Sequence, residues 1–233
     1  MAVTCREHVA RTNVPRSKHF AGAAISKRAN ERMTQNFTVY VVDDDPGVLK
    51  AMSRLIRARG YQANPYASPR LFLEEHDSAV PGCAILDVAM PDLNGLELQR
   101  VLATTTGSHR PLVFVTGKGD IPTSVRAMKA GAIDFLTKPV KDEHLFDAIS
   151  RAQEKDAQLR KVHSELESIR GKVATLTPRE REVFALVVAG RMNKQIAGDL
   201  GTAEKTIKIH RSRVMEKLGA RALADLVRMA EKL

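Results

Sequence analysis

Side chains able to hold a cation and an anion follow four short apolar segments, each near the end of a predicted strand. Asp43 and Asp44 follow residues 38–42, Asp87 follows residues 83–86, Thr116 follows residues 112–115, and Lys138 comes shortly after residues 133–136. In open parallel α/β sheets, ligands bind outside the carboxyl ends of the strands. We therefore expect these side chains to form one site.

The residue types in this set predict a divalent cation, an anion and chemistry on one aspartate. Two carboxylates at Asp43 and Asp44 would repel a third at Asp87 unless a cation lay among them. Mg²⁺ is the expected ion because it prefers a few carboxylates with water and phosphate oxygens. Lys138 offers a mobile positive charge and Thr116 a hydroxyl donor for a phosphoryl group. Asp87 is then the candidate nucleophile.

Positioning these residues requires a sheet flanked by helices. Between residues 37 and 140, apolar segments alternate with amphipathic ones, and the helix candidates are Pro46–Arg59, Ser68–His76, Gly95–Thr104 and Ile121–Ala130. Repeated βα units of this length predict an α/β fold with a parallel sheet covered on both faces. The second strand, near Tyr61–Ala67, contains Pro65, which predicts a position at the sheet edge.

Charge and composition divide the chain of 233 residues into unlike parts. Residues 37–150 carry 12 Lys or Arg and 14 Asp or Glu, whereas residues 151–233 carry 18 and 11. This difference suits a cation-binding domain joined to a polyanion-binding one. Residues 1–36 are basic and show no sustained apolar period, so we expect a disordered extension. Two cysteines and the lack of a long apolar segment fit a cytoplasmic protein.

A long helix is predicted to join the two parts, from about Asp142 to Ile169. Its apolar positions repeat at spacings of three and four, interrupted by Lys155. Such a narrow seam suits a coiled coil between two chains. The alternative is a single amphipathic helix that lies on its own domain.

Four further helices are predicted near the C-terminus, and two of them form a helix-turn-helix signal around Gly201. Thr177, Pro178 and Glu180 predict the start of the first helix. Thr202 is the expected N-cap of the third helix, which ends before Gly219. Cations on that third helix suit either DNA recognition or a solvated basic face.

The first half resembles a response-regulator receiver domain. The resemblance rests on VVDDDP (residues 41–46), LDVAMPDLNG (86–95), VTG (115–117) and KP (138–139), in the order and spacing of that family. It implies a CheY-like (βα)5 fold with strand order 2-1-3-4-5, and a Lys138–Pro139 bond that is often cis. It also implies that Asp87 is the phosphoacceptor, and that Asp43, Asp44, Asp87 and the Ala89 carbonyl hold Mg²⁺.

The same resemblance implies a switch. Thr116 and Lys138 would contact the phosphoryl group, and Phe135 falls at the family's aromatic switch position. Movement of Thr116 would open space for the Phe135 ring. The ring would then move inward and change the face around Ile121–Ala130. That face commonly serves as a dimer interface in this family.

The second half resembles a LuxR-type helix-turn-helix domain, through LTPREREV (residues 176–183), NKQIA (193–197) and TIKIHR (206–211). The complete chain is similar to response regulators of the FixJ/TodT type within the FixJ/NarL group. The implied domains are a receiver (37–150), a linker helix (151–173) and a DNA-binding domain (174–233). The resemblance leaves residues 1–36 unexplained.

This second resemblance implies DNA contacts at one helix-turn-helix unit. Lys208, Ile209 and Ser212 would enter the groove. The residues expected mainly at phosphates are Lys205, Thr206, Arg211, Arg213, Asn193 and Lys194. The implied partners are DNA, a sensor histidine kinase, RNA polymerase and a second copy of the chain.

The function implied is regulation of transcription, with activation the expected effect, by a protein that is not an enzyme. One alternative is a DNA-binding factor whose receiver is only structural. Another is an aspartyl-phosphate phosphotransferase, but the phosphatases of the haloacid dehalogenase type carry an acid two residues after the nucleophile, where this chain has Ala89.

Overall fold

The computed structural model describes residues 36–105, 110–117 and 119–233, and the chain divides into two units between Asp156 and Ala157. Apart from Asn36, the extension predicted over residues 1–36 lies outside the described residues. In the part of the chain that the structure describes, no helix is both long and apolar enough to span a membrane.

Five parallel strands form the centre of the first unit. They are β1 (Thr38–Val42), β2 (Gln62–Tyr66), β3 (Gly82–Leu86), β4 (Leu112–Thr116) and β5 (Asp134–Thr137). Their order is β2-β1-β3-β4-β5, and every pairing is parallel, so the predicted α/β fold and strand order are confirmed. Strand β2 lies at the edge, where Pro65 costs the sheet no essential hydrogen bond.

Helices cover both faces of this sheet. They are α1 (Pro46–Ala58), α2 (Pro69–Glu75), α3 (Gly95–Thr104), α4 (Ile121–Lys129) and the first part of α5 (Asp142–Ala174). The first four begin after a polar residue whose side chain accepts a hydrogen bond from an N–H of the first turn: Asp45, Ser68, Asn94 and Asp120. These caps fix where each connection leaves the sheet.

The core explains why the central strands are almost entirely apolar. Val41 and Ile85 pack on the side of α1 and α5, whereas Val42, Leu86 and Phe114 pack on the side of α2, α3 and α4. Because alternate side chains point to opposite faces, a strand buried on both faces needs apolar residues throughout. The first polar residue after each central strand therefore marks the end of the sheet.

Helix α5 continues five residues beyond its predicted end at Ile169, through Gly171. One glycine costs a helix only about 1 kcal/mol, so it does not stop this one. Leu145 and Ile149 are buried in the first unit, and Val173 packs against the apolar core of the second unit. The apolar positions at the two ends of α5 thus pack within the chain's own units. Val162, near the middle of the helix, is 65% exposed.

The second unit contains α6 (Pro178–Val188), α7 (Asn193–Asp199), α8 (Glu204–Leu218) and α9 (Leu223–Glu231) around an apolar core. Thr177 and Glu180 form the predicted capping box of α6. The predicted N-cap of α8 is wrong, because Ala203, not Thr202, precedes the helix and contributes no side-chain cap. Thr202 still belongs to the preceding turn, where its N–H donates to the Ala197 carbonyl.

Candidate functional site

The ammonium of Lys138 joins the ends of two central strands of the sheet. Its Nζ lies 2.6 Å from Oδ2 of Asp43 and 2.9 Å from Oδ1 of Asp87. Both carboxylates are buried, whereas Lys138 is partly exposed. Three of the residues predicted from strand ends are therefore in direct contact.

Backbone hydrogen bonds across the sheet place these residues. The Asp43 N–H donates to the Tyr66 carbonyl at 3.2 Å, and the Asp87 N–H donates to the Val42 carbonyl at 2.9 Å. The Lys138 N–H donates to the Thr116 carbonyl at 2.8 Å. Each residue is the continuation of a parallel pairing, so the site depends on the register of all five strands.

Electrostatics keep Lys138 charged. Its partial burial would lower the pKa of the ammonium, but the hydrogen bonds with Asp43 and Asp87 outweigh that effect and raise the pKa. The ammonium in turn offsets the repulsion between two buried carboxylates. The two carboxylates together therefore favour a positive charge close to both of them.

The three consecutive acids after β1 have different surroundings. Asp43 is buried, and its Oδ1 accepts a hydrogen bond from the Asp45 N–H at 3.0 Å. Asp45 caps α1 through the N–H groups of Gly47 and Val48. Asp44 is exposed and is not part of the contacts that join Asp43, Asp87 and Lys138.

The loop after Asp87 folds closely around that residue. The Ala89 N–H donates to Oδ2 of Asp87 at 2.6 Å. Farther along, a Cβ added at Gly95 would lie 2.3 Å from the Asp87 carbonyl oxygen, so only glycine fits there. Sequence reasoning missed Gly95 as a site residue, although its place at the end of the quoted motif was a signal.

The donor set suits Mg²⁺ better than a transition metal. Among the described residues, no group of three or more His, Cys, Asp or Glu side chains is arranged as a metal site. The set here consists of two close carboxylates, Asp43 and Asp87, with exposed Asp44 and the Ala89 carbonyl nearby in sequence. Mg²⁺ takes one or two carboxylates and completes its shell with water and phosphate oxygens.

Thr116 and Phe135 meet at the loop that follows β4. Thr116 is fully buried at the end of that strand, and Phe135 in β5 is half-buried, with its ring centroid 6.0 Å from that of Phe114. A Cβ at Gly119 would lie 2.8 Å from the Phe135 ring and 3.2 Å from Cγ2 of Thr116. One loop thus touches both residues.

The Lys138–Pro139 bond is cis, as the resemblance implied.

Helix α4 carries an exposed apolar stripe beside this loop. Ile121 is 80% exposed, and Val125 and Met128 are also exposed, at spacings of four and three. These spacings place all three side chains on one face of the helix. A contiguous exposed apolar face on a surface helix is a common feature of protein contact sites.

Helix α8 presents polar and charged side chains away from its core. Ile207, Val214 and Leu218 are buried. Among the residues predicted to contact DNA, the exposed ones are Lys194, Lys205, Lys208, Ile209, Ser212 and Arg213. Thr206, Asn193 and Arg211 are partly buried.

Two contacts organise this surface. Nη1 of Arg211 donates to Oδ1 of Asn193 at 3.2 Å, which fixes α8 to the start of α7. Glu204, the first residue of α8, pairs with Lys208 one turn later. All nine predicted DNA-contact residues lie on α8 or at the start of α7.

Residues at the start of α6 hold the end of α7 and the end of α8, and no local sequence pattern predicted these contacts. Nη2 of Arg179 donates to the Leu200 carbonyl at 2.6 Å, just before the turn that precedes α8. Glu180 pairs with Lys217 in the last turn of α8, and Lys217 also donates to the Thr175 carbonyl at 3.1 Å. Partners separated by 37 residues leave no local pattern.

Comparison with known proteins agrees with this geometry. Residues 39–150 match the model of the response regulator receiver domain, and residues 174–230 match that of bacterial regulatory proteins of the luxR family. Nodulation protein W of Bradyrhizobium diazoefficiens is 45% identical over 84% of this chain and 86% of its own. The transcriptional regulatory protein FixJ of Rhizobium meliloti is 38% identical over 84% of this chain and 95% of its own.

A solved full chain shares the architecture. The structure of the response regulator StyR aligns with a TM-score of 0.73 and 42% identity, over 85% of this chain and all of that one. Receiver domains act with kinase partners and generally bind Mg²⁺ at their acidic site, and luxR-family domains bind DNA. The chain therefore belongs to the response regulators of the FixJ/TodT type, which combine a receiver with a LuxR-type DNA-binding domain and regulate transcription.

Proposed function

We propose that Asp87 accepts a phosphoryl group from a sensor histidine kinase and that this modification controls DNA binding by the second unit. The observation that carries the proposal is the contact of Lys138 with both Asp43 and Asp87 at the carboxyl ends of the strands. A carboxylate oxygen of Asp87 would form the new P–O bond as the P–N bond of phosphohistidine breaks. The released imidazole keeps the electron pair.

The surrounding residues have separate tasks in this transfer. Lys138 is placed to neutralise charge on the phosphoryl oxygens, and Thr116 offers a hydroxyl donor at the end of β4. Asp43, Asp44, Asp87 and the Ala89 carbonyl are the proposed ligands of Mg²⁺. When bound, the ion would offset negative charge on the carboxylates and the phosphoryl group.

The loop after β4 would carry the signal away from Asp87. Gly119 lies against both Thr116 and Phe135, so a shift of Thr116 toward the phosphoryl group changes the space open to the ring. Phe135 is half-buried, so part of its side chain already reaches solvent. We propose that this exchange alters the neighbouring face of α4.

The proposed response is association with a second copy through α4. Its exposed residues Ile121, Val125 and Met128 offer an apolar face that a partner would cover. Two copies would place two α8 helices on paired DNA half-sites. We propose that the dimer activates transcription by recruiting RNA polymerase, and that it acts in the cytoplasm, where the DNA lies.

The proposed DNA contacts lie on α8 and at the start of α7. Lys208, Ile209 and Ser212 would reach base edges. The proposed backbone contacts are Lys205, Thr206, Arg211, Arg213, Asn193 and Lys194. We propose residues 37–150 as the receiver, 151–173 as the linker helix and 174–233 as the DNA-binding domain.

Sedimentation velocity with Mg²⁺, with and without beryllofluoride, tests the switch. The wild type should shift from monomer to dimer when the phosphoryl mimic is added, and Asp87→Asn should not. Asp92→Asn is the matched control, because Asp92 is exposed and asparagine also accepts its positive φ of 64°. An unchanged monomer–dimer balance in the wild type would contradict phosphorylation-enhanced dimerisation.

A further inference from the structure

Helix α8 begins with a carboxylate and an ammonium side by side. Oε1 of Glu204 lies 3.2 Å from Nζ of Lys208, and the two side chains are 46% and 64% exposed. Glu204 is the first residue of the helix, and Lys208 is one turn further on, so both project from its N-terminal half. In helix-turn-helix proteins, the N-terminal residues of the recognition helix contact base edges.

We propose that Glu204 is a specificity-determining residue that reads a G·C base pair together with Lys208. Glu204 would accept a hydrogen bond from cytosine N4, while Lys208 donates to guanine O6 and N7. The inference rests on the proposed role of α8 as the DNA-contacting helix. It deepens that role by naming the base pair that one part of the helix selects.

The donor and acceptor pattern of the pair supports this assignment. A carboxylate only accepts hydrogen bonds and an ammonium only donates them. In the major groove, a G·C pair presents two neighbouring acceptors on guanine and then a donor on cytosine. An A·T pair instead presents its single donor between two acceptors, one of which would repel the carboxylate.

The charge of Glu204 also requires an explanation on a surface that meets DNA. Lys205, which follows it directly in the helix, is a cation that favours phosphates, whereas a carboxylate is repelled by them. Its charge suits the positive end of the helix dipole, but that role needs no contact with Lys208. The base contact accounts for both the carboxylate and its neighbour.

The ion pair is easy to exchange for contacts with DNA. Exposed pairs one helical turn apart contribute little to stability, because water screens them and both side chains lose freedom. In the free protein, the contact restricts Lys208 and Glu204 to the same side of α8. On DNA, the ammonium and the carboxylate would separate onto the two bases of the same pair without rebuilding the helix.

The test is selection of binding sites from a random duplex library by the full-length protein with beryllofluoride. The wild type should select a motif with one fixed G·C pair in each half-site. Glu204→Ala should reduce the preference for that pair over A·T by about tenfold and leave other positions unchanged. Glu204→Gln keeps the size of the side chain. It should change the base pair selected at that position from G·C toward A·T, since glutamine reads adenine.

Glu216→Ala is the matched control, because Glu216 is an exposed carboxylate in the C-terminal half of the same helix. It should select the wild-type motif. An unchanged motif with Glu204→Ala and Glu204→Gln would overturn the inference, and so would uniformly tighter binding to every sequence or a loss of thermal stability alone. If the wild type selects no motif, the proposed DNA-binding role of α8 fails, and the inference fails with it.

Discussion

The ammonium of Lys217 lies 2.6 Å from the carboxylate of Glu180, and this contact fixes the end of α8 to the start of α6. Glu180 is buried, and its carboxylate also accepts from the Thr177 N–H at 2.9 Å. Lys217 reaches the Thr175 carbonyl as well, directly after α5. One pair of side chains therefore holds α8 against the segment that leads into the second unit.

Acid should weaken the second unit through Glu180. Hydrogen bonds from Lys217 and from the Thr177 N–H lower the pKa of Glu180 to about 2 from an ordinary value of 4.5. Because the folded pKa is the lower one, the stabilisation is fully present above about 4.5 and is lost as pH falls toward 2. Urea unfolding at several pH values should show the wild type losing its advantage over Glu180→Gln in that window. A constant difference across the window would contradict the assignment.

Removing either partner should have unequal effects. Lys217→Met leaves a buried carboxylate without its cation, whereas Glu180→Gln leaves an exposed, solvated ammonium. We expect Lys217→Met to lower the melting temperature by about 5 °C or more and Glu180→Gln to lower it less. Thermal unfolding followed by circular dichroism measures both. Equal losses, or a more stable Lys217→Met, would show that the carboxylate does not depend on this cation.

Gly95→Ala should slow phosphorylation of Asp87. The new Cβ would lie 2.3 Å from the Asp87 carbonyl oxygen, so the loop after Asp87 must move. Because displacement of reacting groups by about 1 Å can cost on the order of 100-fold in rate, we expect phosphorylation by acetyl phosphate to slow by at least about tenfold. Gly117→Ala is the control, since a Cβ there meets no atom within 4 Å. Equal rates for the two variants would remove Gly95 from the site.

Two valines distinguish the possible dimer contacts. Val125 lies on the exposed stripe of α4, and Val162 is exposed on α5. Val125→Asp should abolish the dimer formed with beryllofluoride, because it would bury a charge in the interface. Val162→Asp, the same change on another helix, should leave it intact in sedimentation velocity. The opposite result would assign the contact to a coiled coil of α5.

Lys194→Ala should weaken DNA binding equally for all sequences. Lys194 is exposed at the start of α7, where a phosphate contact is proposed. Losing one such contact should reduce the slope of log affinity against log salt by about 0.9. Fluorescence anisotropy across salt concentrations measures this slope, with Lys161→Ala on α5 as the control. A change in sequence preference without a change in slope would place Lys194 at a base edge instead.

The region around Asp87 was largely predictable because its residues follow buried strands. Asp43, Asp87 and Lys138 each come after an apolar segment, and parallel strands bring such positions to one edge. The different roles of Asp44 and Asp45 were not predictable, because they depend on which way a tight turn directs each side chain. Only the structure shows that Asp45 caps α1.

The second unit shows where local patterns are insufficient. The capping box at Thr177 follows a sequence rule and is confirmed. Thr202 satisfied a similar rule but lies in a turn, because the preceding helix continues to engage its backbone N–H. The Glu180–Lys217 contact could not be predicted, since it depends on how α6 and α8 pack.

The partners of Lys138 are far from it in the chain, and this has a consequence for newly made protein. Asp43 precedes Lys138 by 95 residues, and Asp87 precedes it by 51. Contacts of such long range form only when the intervening strands have paired. In a nascent or misfolded chain, Asp87 would lack the Lys138 ammonium beside it. A kinase would then transfer little phosphoryl group to Asp87. Attachment of the phosphoryl group would thus be reserved for receivers whose synthesis and folding are complete.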